Sequence, residues 1–237
     1  MKPHLEILAP PQRMFWAHHA PHLPPSLVLY GGTAIALRLG HRRSVDFDFF
    51  TDAALDHGEL DRKVLDLEGA RALQRSLDTL VATVPLRGQD VKLSFFGDLK
   101  IGRVDRPDRA DNGVLIASPL DLLATKLKAL HDRVEAKDYL DIEALLRSGM
   151  TLSHGIMAAQ ALFGEKLNPL DTAKAVGWFK DGGLDRALPA KTRNYLALAA
   201  SRFDPDAAAP RRVSQRLAVS DEPEARIETT SPERQGR

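Results

Sequence analysis

The sequence predicts an α+β chain: an amino-terminal α/β domain over residues 1–117, a helical domain over 118–203 and a disordered tail over 204–237. Three observations lead there. Within Leu27 to Asp52, an apolar strand pattern passes through a Gly-Gly turn into a short helix and on to a second, alternating strand. Two β-rich runs, Thr79 to Val84 and Val91 to Phe96, flank the polar segment Pro85 to Asp90 as the arms of a hairpin do. Beyond Ser118, apolar residues recur every three or four positions, the spacing of helices with one packed face.

Composition sets the outer bounds. A chain of 237 residues, 43% hydrophobic and 27% charged, suits a soluble globular protein with a real core. The formal net charge of +1 supplies no global pull toward nucleic acid, so such a contact has to come from local patches. The absence of cysteine removes disulfides, zinc–thiolate sites and thiol catalysis together. No apolar stretch has signal-peptide or transmembrane character. The expectation is a cytoplasmic protein without membrane contact.

In chain order, Met1 to Pro25 reads as a lead-in with a short helix near Gln12 to Ala20. His18, His19 and His22 lie close together, but no carboxylate or cysteine accompanies them, so a packed or solvated helix end is expected. Leu27 to Tyr30 is a buried strand, Gly31-Gly32 a turn, and Thr33 sits where a helix N-cap would. Ala34 to Leu39 then forms a short helix that Gly40 ends in a left-handed conformation. After the basic hinge His41-Arg42-Arg43-Ser44, the strand Val45 to Phe50 alternates. Val45, Phe47 and Phe49 share the core face, and Asp46 and Asp48 project together from the other.

Two carboxylates so placed repel unless a cation lies between them. The pattern suits Mg²⁺, which takes one or two carboxylates and fills its shell with water and phosphate oxygens. The Gly-Gly turn before a helix offers backbone N–H groups at the positive end of the helix dipole, where phosphate binds.

Asp56 to Leu67 has helical spacing, with Leu60, Val64 and Leu67 on one face, and Arg71 to Leu77 carries no clear pattern. Lys100 to Val104 and Val114 to Ala117 read as further short strands. In the strand Val91 to Phe96 the face beside the carboxylates shows Lys92 and Ser94, with Asp90 and Asp98 only flanking it. Ser118 is a good N-cap, Pro119 fits the first helical position, and Asp121 completes the cap. Leu120, Leu123, Leu127 and Leu130 form the apolar face of that helix, and Lys126 lies at its edge, where a lone lysine snorkels to water. A helix over Glu135 to Leu146 follows, in which Lys137, Asp138 and Asp141 read either as surface charges or as part of a site. Ser153 to Phe163, Leu170 to Phe179 and Pro189 to Arg202 complete the helices, with Trp178, Phe179 and Tyr195 assigned to the core. From Asp204 the chain is poor in aromatics and mixed in charge, hence the expected disorder, with Arg211, Arg212 and Arg216 solvated or touching RNA.

Gly31-Gly32 followed by Asp46-Phe47-Asp48 resembles the signature of the nucleotidyltransferase superfamily founded on DNA polymerase β. The stretch GGTAIALRLGHRRSVDFDFF looks more narrowly like the AbiEii-type nucleotidyltransferase toxins of type IV toxin–antitoxin systems. Lys126 with His131-Asp132-Arg133 and Lys137-Asp138-Tyr139-x-Asp141 matches a second block of that pattern. The resemblance implies a polymerase β-like domain in which Asp46 and Asp48 hold Mg²⁺ (or Mn²⁺). Gly31, Gly32 and Thr33 would cradle phosphate oxygens, and Lys126 would bind the nucleoside triphosphate. Asp138 would complete the catalytic cluster as base or extra ligand. Ser44, Arg42 and Arg43 would form a rim for pyrophosphate or an RNA backbone. Polymerase β-like enzymes place a third carboxylate on the next strand, which this sequence lacks. The implied acceptor is RNA, a tRNA 3′ end foremost, and the implied partner is an antitoxin encoded nearby. A small-molecule nucleotidyltransferase, such as one modifying an antibiotic, and a non-catalytic nucleotide-binding protein are the rival readings.

Overall fold

Short runs of β-branched and aromatic residues between glycine turns build a seven-stranded mixed sheet, and amphipathic helices flank and follow it. The computed structural model describes residues 1–219. Its elements, in order, are α1 (Pro10–His18), β1 (Val28–Tyr30), α2 (Gly31–Leu39), β2 (Asp46–Phe50), α3 (His57–Leu60), β3 (Arg71–Ser76), β4 (Thr79–Leu86), β5 (Gln89–Phe96), β6 (Asp108–Arg109) and β7 (Leu115–Ile116). The helical half follows as α4 (Pro119–Asp132), α5 (Ala136–Arg147), α6 (Leu152–Phe163), α7 (Pro169–Gly177), α8 (Leu184–Ala187) and α9 (Ala190–Ser201).

The strand order is β3-β4-β5-β2-β1-β7-β6, with β2 parallel to β5 and β1 parallel to β7. The β4–β5 hairpin turns on Arg87 and Gly88, both at positive φ (49° and 76°), which is the type I′ geometry that matches strand twist. The loop is therefore two residues long; Pro85 to Asp90, expected to be loop, lies mostly within the paired strands.

One face of β2 is core. Phe47 and Phe49 are fully buried, with Phe47 against Phe15 of α1 (ring centroids 5.0 Å apart) and Phe49 stacked on Phe95 of β5 at 5.5 Å. Val45 does not join them: β2 begins at Asp46, and Val45 is 58% exposed. Thr33 is not a cap either. The helix opens earlier, at Gly31 with Tyr30 in the cap position, and Thr33 lies buried in its first turn. Gly40 ends the helix in the left-handed region at φ 64°, as its sequence position suggests.

Helices α4 and α5 pack against α2, which brings the second motif block to the first. Ser118 caps α4, its hydroxyl accepting from the Asp121 N–H at 3.0 Å, and the Asp121 carboxylate accepts the Val104 N–H at 2.8 Å. Three other expectations are corrected. Lys100 to Val104 forms no strand, and Arg103 pairs with Ser214 as an isolated bridge. Trp178 is half exposed, its indole N–H donating to Asp181 at 2.8 Å, while Phe179 packs on Tyr139.

The third correction concerns residues 204–219, which fold back over the body. Leu217 is buried and its N–H donates to Asp52 Oδ1 at 2.8 Å. Arg212 donates to the Ala161 and Leu162 carbonyls at the end of α6, both at 2.9 Å, and buried Arg103 donates to the Arg216 carbonyl at 2.6 Å. Average composition hid a strap that is fixed by a few apolar side chains and two arginines. The expected disorder of 220–237 falls outside the described residues.

Candidate active site

Alternation along β2 places Asp46 and Asp48 on the face away from the Phe47–Phe49 core. In register, Asp46 stands beside Lys92 of β5, and Asp48 between Ser94 of β5 and Tyr30 of β1. The Asp48 carboxyl lies against the start of α2. A Cβ on Gly31 would sit 2.4 Å from Asp48 Oδ2, and Gly31 holds φ 71°, so both space and backbone demand glycine. Burial first, and then the neighbouring Asp46 charge, push the Asp48 carboxyl above its ordinary range, against the opposing effects of the Ser94 hydrogen bond and of Lys126 and Lys92.

A second group of charges meets this pair from the helical side. Lys126 of α4 is only 5% exposed, and its Nζ donates to Asp138 Oδ1 at 2.6 Å and pairs with Asp141 Oδ2 at 2.9 Å. The two acids, three apart on α5, share one helix face. Arg133 donates to both Asp138 oxygens, through Nε at 2.9 Å and Nη2 at 3.2 Å. Arg42 grips Asp141 with Nε at 2.7 Å and Nη2 at 2.8 Å, and His41 Nε2 adds a contact at 2.8 Å. Gly32 makes room: a Cβ there would meet Arg42 Nη2 at 2.3 Å.

Burying charges is costly unless each is paired and hydrogen-bonded, and here each is. Burial opposes ionisation of Asp141, but the hydrogen bonds from His41 and Arg42 and the charge of Lys126 outweigh it and hold the carboxyl well below its usual range. Asp138 is likewise held down, burial being overcome by Arg133 and Lys126. Lys126 is therefore not a snorkelling lysine, and Asp138 and Asp141 are not surface charges. Four permanent cations, Lys126, Arg42, Arg133 and Lys137, serve three carboxylates, Asp138, Asp141 and Glu135, the last shared by Arg133 and Lys137, so the cluster keeps a positive excess beside the Asp46–Asp48 pair.

The remaining expected residues sit as follows. Thr33 donates to Ser44 Oγ at 2.7 Å and also to the Asp46 carbonyl, and both hydroxyls are buried, so they pin the hinge to β2. Arg43 is exposed at the rim. Asp90 and Asp98 pair with exposed Arg71 and Lys100 at the ends of β5, leaving Ser94 at the strand position next to Asp48. His19 stacks on Phe15 at the end of α1. In the sequence His41 belongs to the basic hinge and Ser94 to its strand, yet neither carries an expected role in the site. Nothing local marks His41, whose partner lies a hundred residues away, whereas Ser94 was on view in the alternation of β5.

Among the described residues no group of three or more His, Asp or Glu side chains is arranged to hold a metal ion. The donor set is the Asp46–Asp48 pair, with Asp48 disfavoured as an anion by burial and by its neighbour. That fits a hard divalent cation completing its shell with water and phosphate oxygens.

Two solved structures share this fold. JHP933 from Helicobacter pylori superposes with a TM-score of 0.55 at 19% identity, over 81% of this chain and 89% of its own. An H. pylori chain proposed to be a nucleotidyltransferase gives 0.54 at 18% identity, over 80% and 91%. More specifically, residues 15–218 match the family described as nucleotidyl transferase AbiEii toxin of type IV toxin–antitoxin systems, and the chain belongs to that family of nucleotidyltransferases. The uncharacterized protein aq_aa25 of Aquifex aeolicus (strain VF5) is 35% identical over 122 residues, 50% of this chain, and the match spans 57% of that relative's length. No helix among the described residues is long and apolar enough to cross a membrane.

Proposed function

We propose that the chain transfers a nucleoside monophosphate from a nucleoside triphosphate to an RNA hydroxyl, the 3′ end of a tRNA being the favoured acceptor. The work would take place in the cytoplasm, with an antitoxin encoded nearby restraining it. The observation that carries this reading is the abutment of two arrangements: the neighbouring carboxylates Asp46 and Asp48, and the ion-pair cluster around Lys126, whose charge acts on Asp48.

Asp46 and Asp48 would hold Mg²⁺ (or Mn²⁺), which when bound neutralises charge on the phosphate oxygens of the nucleotide. The chain's own residues do the rest. Lys126, fixed between Asp138 and Asp141, presents a point charge for the β- and γ-phosphates. The first backbone N–H groups of α2, at Gly31, Gly32 and Thr33, add the positive end of a nine-residue helix. Arg133, half exposed, faces the departing pyrophosphate, and Arg43 lies at the rim for an RNA backbone. Asp138 has both oxygens engaged and a lowered pKa, so before substrate arrives it positions Lys126 and Arg133. The acceptor hydroxyl oxygen attacks the α-phosphorus and gives up its proton to water, while the bond from the α-phosphorus to the oxygen bridging it to the β-phosphorus breaks and that oxygen leaves on pyrophosphate. Modification of a tRNA 3′ end would block aminoacylation and stop growth.

The test is the intact mass of tRNA after incubation with each triphosphate and Mg²⁺. The reading expects a gain of one or more nucleotide units with wild type and none with Asp46→Ala. Unchanged tRNA with every triphosphate contradicts it.

A further inference from the structure

Behind the Arg42–Asp141 pair, between α2, α5 and α9, lies a solvent-open cavity of about 740 Å³. That size suits a nucleotide unit. Its charged lining is mostly basic: His41, Arg42, Arg147 and Lys191. The acid among them, Glu143, is taken up by Arg147 at 2.8 Å. Leu140 and Pro189 supply an apolar wall. His41 lines the cavity as well, and its Nδ1 is buried with no hydrogen-bond partner.

The cavity is joined to the transfer centre through two side chains. Arg42 lines it while its Nη2 lies over Gly32, and Asp141 binds Arg42 and His41 on this side and Lys126 on the other. Arg42 and Asp141 are thus shared between the cavity and the transfer centre, and the mouth leaves room for a chain to run out to solvent.

We propose that this cavity seats the 3′-terminal nucleotide of the acceptor RNA. Its phosphate meets Arg42 and Lys191, and its ring lies on the apolar wall; the assignment rests on the transfer reading above. The basic lining also disfavours a cationic small-molecule acceptor, which needs acidic partners.

The experiment measures KM for tRNA and KM for the nucleoside triphosphate with wild type, Lys191→Glu, Arg147→Glu and Arg147→Lys. Lys191 is exposed, whereas Arg147 pairs with Glu143 and lies 4.0 Å over the Tyr195 ring, so unfolding midpoints first establish that each variant is folded at the assay temperature. The expected result is a rise of about tenfold or more in KM for tRNA with each glutamate variant. KM for the triphosphate stays at the wild-type value, and Arg147→Lys restores tRNA KM. An unchanged tRNA KM in both glutamate variants overturns the assignment while transfer itself stands. A parallel rise in both KM values overturns it too, placing the triphosphate in the cavity. If wild type labels no RNA at all, the transfer reading fails and the acceptor seat falls with it.

Discussion

Asp48 is half-buried and Asp141 fully buried, and their surroundings drive them in opposite directions. Asp48 lies beside another carboxylate and its pKa is raised by burial; Asp141 lies among three cationic or hydrogen-bonding side chains and its pKa is lowered. At neutral pH the ionised Asp48 therefore opposes folding, an effect that fades as pH falls through its raised pKa. Removing the charge with Asp48→Asn should raise the melting temperature in the absence of divalent cation, while ending transfer. Mg²⁺ at about ten times its dissociation constant should stabilise wild type by roughly 1.4 kcal/mol, some 2–5 °C, and leave Asp48→Asn unmoved. Differential scanning fluorimetry with and without Mg²⁺ reads both outcomes. Asp138 and Asp141 work the other way. Their lowered pKa values contribute stability that is full above the unfolded carboxylate value of about 4 and lost as pH falls below it. Urea midpoints should drop between pH 6 and pH 3, and Asp141→Asn, which leaves buried cations underpaired, should cost about 3–5 kcal/mol at pH 7 and flatten that pH dependence.

At the scale of elements, the strand–Gly-Gly–helix–Asp-x-Asp unit was legible because everything that defines it is local. Period-two alternation and glycine at a turn act within a few residues, whereas the parallel register Asp48↔Ser94 joins strands some forty-six residues apart and only the structure gives it. Gly31→Ala tests how tightly this unit is built. A methyl group would strike Asp48 and force a β-carbon onto φ 71°, so the variant should lose about 1–3 kcal/mol and most of its activity. Denaturant unfolding beside a transfer assay measures the two losses. Helix α4 was legible from its cap and its leucines, but the fate of Lys126 was not. Its position at the edge of the apolar face is the same for a lysine reaching water and for one buried on two aspartates; the packing of α5 decides, and that is a long-range fact.

Across the whole molecule, the interactions that sequence reading missed are those with the longest loops. Arg42 and His41 meet Asp141 about a hundred positions away, and the strap over 204–219 reaches back to Asp52 and Arg103. No window of ten or twenty residues contains such pairings, and the strap's polar composition argued against any order. Leu217→Ala should lower stability by about 2–4 kcal/mol, where a solvated tail would tolerate it, and a melting curve distinguishes the two. The central claim is that the Asp46–Asp48 pair and the Lys126 cluster form one transfer centre. Its most direct measurement is the rate of label transfer from α-labelled nucleoside triphosphate to tRNA with Mg²⁺, for wild type, Asp46→Ala and Lys126→Met. The account predicts transfer by wild type that falls at least about a hundredfold in either variant, both remaining folded. Transfer that persists in Asp46→Ala, or that is indifferent to Lys126, would contradict it.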